Sequence, residues 1–121
     1  MLRAGLFDDF KGSTTLLLWG DKDGMATLLA RLSALRIDTK AEFAIEGRTR
    51  LTVASANGRR SRSRLKKDAS GFRWLCSPDV LELAVDLVEP LRRGAGHQVL
   101  DVSGLAEQVI ISRDEYPADL R

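Results

Sequence analysis

The sequence predicts an α+β fold, a two-layer sandwich in which two βαββ-like units form one mixed sheet with two helices on one face, plus an extra basic edge strand. Three observations predict it. Segments 14–56 and 72–112 each read as strand, helix, strand, strand. They also superpose at a nearly constant offset: adding 56 maps Met25, Leu29, Leu32 and Leu35 onto Leu81, Val85, Val88 and Leu91, and adding 57 maps Gly47, Val53 and Ser55 onto Gly104, Ile110 and Ser112. The one-residue change falls in the helix-to-strand connection, where insertions are tolerated. Third, Arg48, Arg50, Arg59, Arg60, Arg62, Arg64, Lys66 and Lys67 crowd one stretch without an intervening acid, although the whole chain of 121 residues carries a formal charge of only +2. The rest of the chain is therefore acidic, and the molecule is bipolar.

Each element has a local cause. Thr14 to Trp19 is an apolar strand, and Met25, Leu28, Leu29, Leu32 and Leu35 follow at helical spacing. Asp21 or Asp23 supplies the short side-chain oxygen that caps free amides in a first helical turn. Ala41 to Glu46 and Thr49 to Ala56 are strands parted by Gly47-Arg48. Phe72 to Cys76 opens the second unit, and Ser77-Pro78 starts its helix, because proline lacks only an N–H that a first turn leaves unused. Leu81, Ala84, Val85, Val88 and Leu91 form the second stripe, and Pro90 ends or kinks that helix near Glu89. Gln98 to Val102 and Ala106 to Ser112 close the unit around Ser103-Gly104. Each strand–helix–strand passage implies a right-handed crossover between parallel strands of one sheet. Residues 57–71 are a basic hairpin arm and turn, residues 113–121 a C-terminal tail, and the whole chain, 1–121, a single domain.

Asn57-Gly58 between Leu51–Ala56 and the alternating run from Arg60 to Lys66 signals a hairpin. A two-residue turn would put Val53 and Leu51 opposite Arg62 and Arg64, mixing an apolar face with a basic one. A three-residue loop, Asn57-Gly58-Arg59, shifts the register by one and sets Leu51 against Leu65, Val53 against Ser63 and Ser55 against Ser61. Arg50, Arg62, Arg64 and Lys66 then share the outer face. This face protects a sheet edge from aggregation, or binds an acidic protein, or contacts nucleic acid. Nucleic acid is the weaker fit, because no aromatic residue lies between Arg48 and Lys67 to stack on bases.

Composition removes other classes. Hydrophobic residues at 44% and charged residues at 30% are those of a soluble globular protein. One cysteine, Cys76, excludes an intrachain disulfide and, with one histidine, a zinc site of Cys and His alone. The expected setting is the cytoplasm, without membrane association: the N-terminus has no signal-like apolar core, and the run Leu16 to Trp19 is too short for a bilayer.

No motif supports catalysis, a cofactor or a metal. Cys76, His97 and Asp101 suggest a nucleophile, base and acid, but a strand–helix–strand passage puts Cys76 and His97 at opposite sheet ends, roughly 15 Å apart for five residues of strand. Asp21-Lys-Asp23-Gly24 lacks the later oxygen ligands of a calcium loop. Asp8-Asp9, Glu42 with Glu46, and Asp114-Glu115 read as solvated pairs. Gly20 and Gly24 do not have the spacing of a phosphate-binding turn.

Leu17, Trp19 and Ile111 alternate with Leu16, Leu18 and Ile110, so the central strands are apolar on both sides. Either the segment with Leu6, Phe7 and Phe10 covers the second face, or a partner copy does, making a homodimer.

The second half carries a helix from Leu81 to Leu91, then Gly96-His97-Gln-Val-Leu100-Asp101 and a closing Gln108-Val-Ile-Ile-Ser112. In its strand–helix opening and its late His-x-x-Leu-Asp step before a final strand, it resembles small bacterial polymorphic-toxin immunity proteins and related uncharacterised α+β proteins. The resemblance covers about a third of the chain and leaves the basic arm unmatched. It implies a non-catalytic binder that occludes a toxin's active site, and it transfers no individual residues. The sequence thus leads to a non-enzymatic, immunity-like protein binding an acidic partner through Arg48, Arg50, Arg59, Arg60, Arg62, Arg64, Lys66 and Lys67, with a nucleic-acid-associated protein as the alternative.

Overall fold

The computed structural model describes residues 1–56, 58 and 60–120. The α+β sandwich class is as the sequence predicts, but the strands divide into two mixed sheets, not one. The first runs β1 (Leu2–Phe10), β2 (Ser13–Gly20), β9 (Gln108–Arg113), β7 (Gly96–Asp101). The second runs β3 (Glu42–Ile45), β4 (Leu51–Ser55), β6 (Gly71–Cys76), β5 (Ser63–Asp68), β8 (Ser103–Gly104). Helix α1 (Lys22–Ile37) follows β2, and α2 (Pro78–Val88) with a 3-10 turn (Glu89–Arg92) follows β6.

The crossovers therefore link sheets. β2–α1–β3 and β6–α2–β7 each leave one sheet and enter the other, whereas the parallel pairs are β2 with β9 and β4 with β6. Both arrangements bury the same alternating faces, and exchange lets the helices pack against each other beside both inner faces. One core results, joining Leu16, Leu18, Val109 and Ile111 to Val53, Leu65 and Trp74, with Met25, Leu28, Leu32 and Leu35 from α1 and Leu81, Ala84 and Val88 from α2.

The hairpin expected between Leu51–Ala56 and the basic run does not form. β6 lies between β4 and β5, so Leu51, Val53 and Ser55 face Phe72, Trp74 and Cys76, while Leu65 and Ser63 face Trp74 and Cys76. The physical reason is burial on both flanks. Phe72, Trp74 and Cys76 make a strong central strand, and the basic strand lies beside it, joined by a tight hairpin in which Asp68 pairs with Gly71; it is not the expected edge strand, because β8 pairs with its Arg64 and Leu65 and takes the edge. Leu65 does point inward and Arg64 and Lys66 outward, as alternation requires. The proposed three-residue loop includes Asn57 and Arg59, which lie outside the described residues.

β1 was not expected, since Gly5, Asp8 and Asp9 are poor strand formers. It forms because Lys11 and Gly12 take φ values of 52° and 82°, the left-handed pair of a tight hairpin turn, and return the chain along β2. Asp21 caps α1 by accepting the Gly24 amide at 2.8 Å. Ser77 does not cap α2 in that way. Its hydroxyl donates to Asp79 and accepts the Arg62 amide hydrogen at 2.8 Å.

The apolar outer face of the first sheet is covered by the chain itself: Phe7, Phe10, Tyr116 and Leu120 pack on Leu17, Trp19 and Ile110. This cover removes the reason for expecting a second subunit there. The tail is held by Trp19 Nε1 donating to the Pro117 carbonyl at 2.8 Å, and by Glu115, which accepts from Ser112 and meets His97 Nδ1 at 3.1 Å. Burial pushes the Glu115 carboxyl up, but hydrogen bonds from Ser112 and His97 outweigh it and hold the group below its ordinary 4.5. A carboxyl lowered in the folded state stabilises above its unfolded pKa, and that stabilisation is lost as pH falls through the folded value. The Trp19 indole N–H resonance is therefore expected to move as acid titrates Glu115 at pH below 4.5, and to lose this step in Glu115→Gln. An unchanged titration in the variant would refute the clip. Among the described residues, no helix is long and apolar enough to cross a membrane.

Candidate functional site

The eight basic residues do not form one face. Arg48 stacks over the Phe7 ring at 4.6 Å, against the first sheet, and Arg50 pairs with Glu46 at 2.7 Å. Arg59 lies outside the described residues. Arg60 is exposed before β5, Lys66 stands opposite Arg73, and Lys67 opposite Phe72. Arg73 is neutralised by Glu42 at 2.7 Å and Asp68 at 3.4 Å. Among the described residues, Arg60, Arg62, Arg64, Lys66 and Lys67 have no ion-pair partner within 4 Å.

Arg62 and Arg64 do come together, on one wall of a cleft of about 770 Å³ at the seam between the sheets. Ser61 to Arg64 form that wall, Leu100 to Ser103 the opposite one, and Val80 and Leu83 of α2 complete it. The seam exists because β7 runs straight into β8, whose Ser103 and Gly104 pair in parallel with Arg64 and Leu65. The wall is fixed by internal bonds. Ser63 Oγ accepts Trp74 Nε1–H at 2.9 Å, Ser103 Oγ donates to the Ser63 carbonyl at 3.2 Å, and the Arg62 carbonyl accepts Ser77 N–H at 2.8 Å. Hydrogen bonds from Ser61 and Ser77 hold the Asp79 carboxyl below its usual range.

Sequence reasoning found the two arginines by their charge and missed the rest of the cleft. Leu83 carried a readable sign: it is apolar yet off the stripe of Leu81, Ala84 and Val88, and its side is 49% exposed. The contribution of Leu100 to Ser103 depends on the meeting of two sheets, which no local pattern contains.

The other candidates disperse. Cys76 is fully buried in the second sheet, where desolvation pushes its thiol far above the ordinary value, while His97 and Asp101 are exposed on the first sheet. Asp21 is occupied by the helix cap and by the Met1 ammonium at 2.8 Å. Glu42 and Glu46 serve separate arginines, and Asp114 pairs with Arg113 at 3.0 Å. Comparison with protein-family models, curated proteins and solved structures finds no match, which leaves the geometry of this cleft as the guide to function.

Proposed function

We propose that this chain is a non-enzymatic, immunity-like binding module that works in the cytoplasm by docking an acidic segment of another protein. Arg62 and Arg64 make the central contact, with Arg60, Lys66 and Lys67 around it. The observation that carries this reading is that two arginines, without ion-pair partners among the described residues, border a cleft whose lining also includes the apolar side chains Val80, Leu83, Leu100 and Val102. Cationic groups at the rim of an apolar depression favour a partner that is acidic and apolar together.

A nucleic-acid strand suits it less. Asp101 lines the same cleft, and α2 exposes Asp79, Glu82 and Asp86 nearby in the chain, so a strand charged along its whole length meets repulsion on one side, where a peptide can place uncharged residues instead. Among the described residues, no aromatic side chain lines the cleft to stack a base.

The strand orders support treating the halves as an internal repeat. β1-β2-β9-β7 and β5-β6-β4-β3 have the same plan, an opening hairpin from one half joined in parallel to the closing hairpin of the other.

The test is fluorescence anisotropy with a labelled glutamate-rich peptide and a labelled single-stranded oligonucleotide of equal charge. The peptide is expected to bind more tightly, and Arg62→Glu with Arg64→Glu to weaken it about tenfold or more. Tighter oligonucleotide binding, lost in the same variant, would establish the nucleic-acid alternative. Peptide affinity unchanged by the double reversal would overturn the proposal.

A further inference from the structure

The hydroxyl groups around the cleft are tied into its walls. Ser63 Oγ accepts from Trp74 and Ser103 Oγ bonds the Ser63 carbonyl, while Ser61 bonds Asp79. The charged side chains that line the cleft are Arg62 and Arg64 on one wall and Asp101 on the other. Between them lie Val80, Leu100 and Val102, which are nearly buried, and Leu83, which is half exposed at the lip.

This distribution restricts the occupant. Arg62, Arg64, Leu83, Asp101 and Ser103 are all exposed, so the cleft is open-lipped. Small-molecule sites bury roughly 70–90% of their ligand, which an open lip does not achieve. A chain passing over the lip and lowering one side chain onto the apolar floor leaves its backbone in water at no loss. The charges set its direction: on the β5 side Arg62 and Arg64 outnumber the Asp79 carboxylate, which Ser61 and Ser77 engage, so carboxylates are attracted there and repelled by Asp101 on the β7 side.

We infer that the cleft is an anchor pocket for one large apolar side chain of an acidic partner segment, whose Asp or Glu residues flank the anchor on the side of Arg62 and Arg64. This rests on the binding reading above and adds to it the anchor and its polarity. Arg62 and Arg64 then supply attraction and orientation, and Leu83 supplies selectivity for the apolar residue. The internally bonded wall needs no reorganisation to receive it.

The experiment uses two labelled decapeptides of equal charge, one with a central phenylalanine among glutamates and one with serine in its place. Wild-type protein is expected to bind the phenylalanine peptide about tenfold more tightly, the scale of a well-packed anchor. Leu83→Ser is expected to narrow that difference severalfold, and Arg62→Glu with Arg64→Glu to weaken both. Amide shifts supply a second readout on wild-type protein: the phenylalanine peptide moves Leu83 and residues 100–103, and the serine peptide moves only Arg62 and Arg64. Equal affinity for both peptides, still lost on charge reversal, overturns the anchor and leaves the binding reading standing. Binding of neither peptide overturns both.

Discussion

Trp74→Ala is expected to destabilise the protein by about 3–5 kcal/mol, the cost of removing a buried aromatic side chain and leaving the space unfilled. Chemical denaturation reads this as a lower midpoint at nearly unchanged slope. Trp74 is fully buried on the middle strand of its sheet, between Val53 on β4 and Leu65 on β5. Its indole also bonds Ser63, so the substitution releases part of the cleft wall as well as opening a void. Trp74→Phe separates the two effects. It keeps most of the packing and removes the N–H, for a loss of about 0.5–1.5 kcal/mol plus the smaller ring. Leu65→Ala and Trp74→Ala in a double-mutant cycle are expected to couple by about 0.5–3 kcal/mol, because the residues are direct cross-strand neighbours. Additivity would refute the placement of β6 between β4 and β5.

That placement marks the boundary of what the amino-acid pattern discloses. β2, α1, β3, β4, β6, α2, β7 and β9 were legible because each carries its own periodicity or cap: Met25, Leu28, Leu32 and Leu35 write a helix whatever surrounds them. Pairing is different. Leu51, Val53 and Ser55 present the same inner face to β5 or to β6, and β2 buries Leu16 and Leu18 whether its parallel neighbour comes from its own half or from β9. Binary patterning fixes which side of a strand is buried, not which strand lies beside it. The decision falls to long-range packing, in which the tryptophan strand takes the centre and the basic strand lies between it and the short edge strand β8. β1 escaped for the opposite reason, since Gly5, Asp8 and Asp9 are poor strand formers and its contacts with β2 make it a strand. The site divides in the same way. Charge disclosed Arg62 and Arg64, whereas Asp101 and Leu83 join them only once β7 continues into β8 at the far seam.

Gly47→Val is expected to cost about 3 kcal/mol, the upper end of overpacking penalties, and more than a turn substitution would. By sequence Gly47 is half of a turn between two strands. In the fold it is the near seam: it bridges Ala4 of β1 in parallel, and the Thr49 amide donates to the Ala4 carbonyl at 3.3 Å. A β-carbon at Gly47 would overlap the Ala4 backbone nitrogen and carbonyl oxygen and crowd the carbonyl carbon, none of which can rotate away. The strain has two exits, withdrawal of β1 from the bridge or displacement of the β3–β4 hairpin, and either one parts the two sheets where their inner faces share a core. Gly94→Ala is the control, because a β-carbon there meets nothing within 4 Å. It is expected to shift stability by no more than about 0.5 kcal/mol. A Gly47→Val protein as stable as Gly94→Ala would mean that the sheets are not joined at Ala4. The far seam, where β8 meets β5 and the cleft opens, would then carry the whole connection between them.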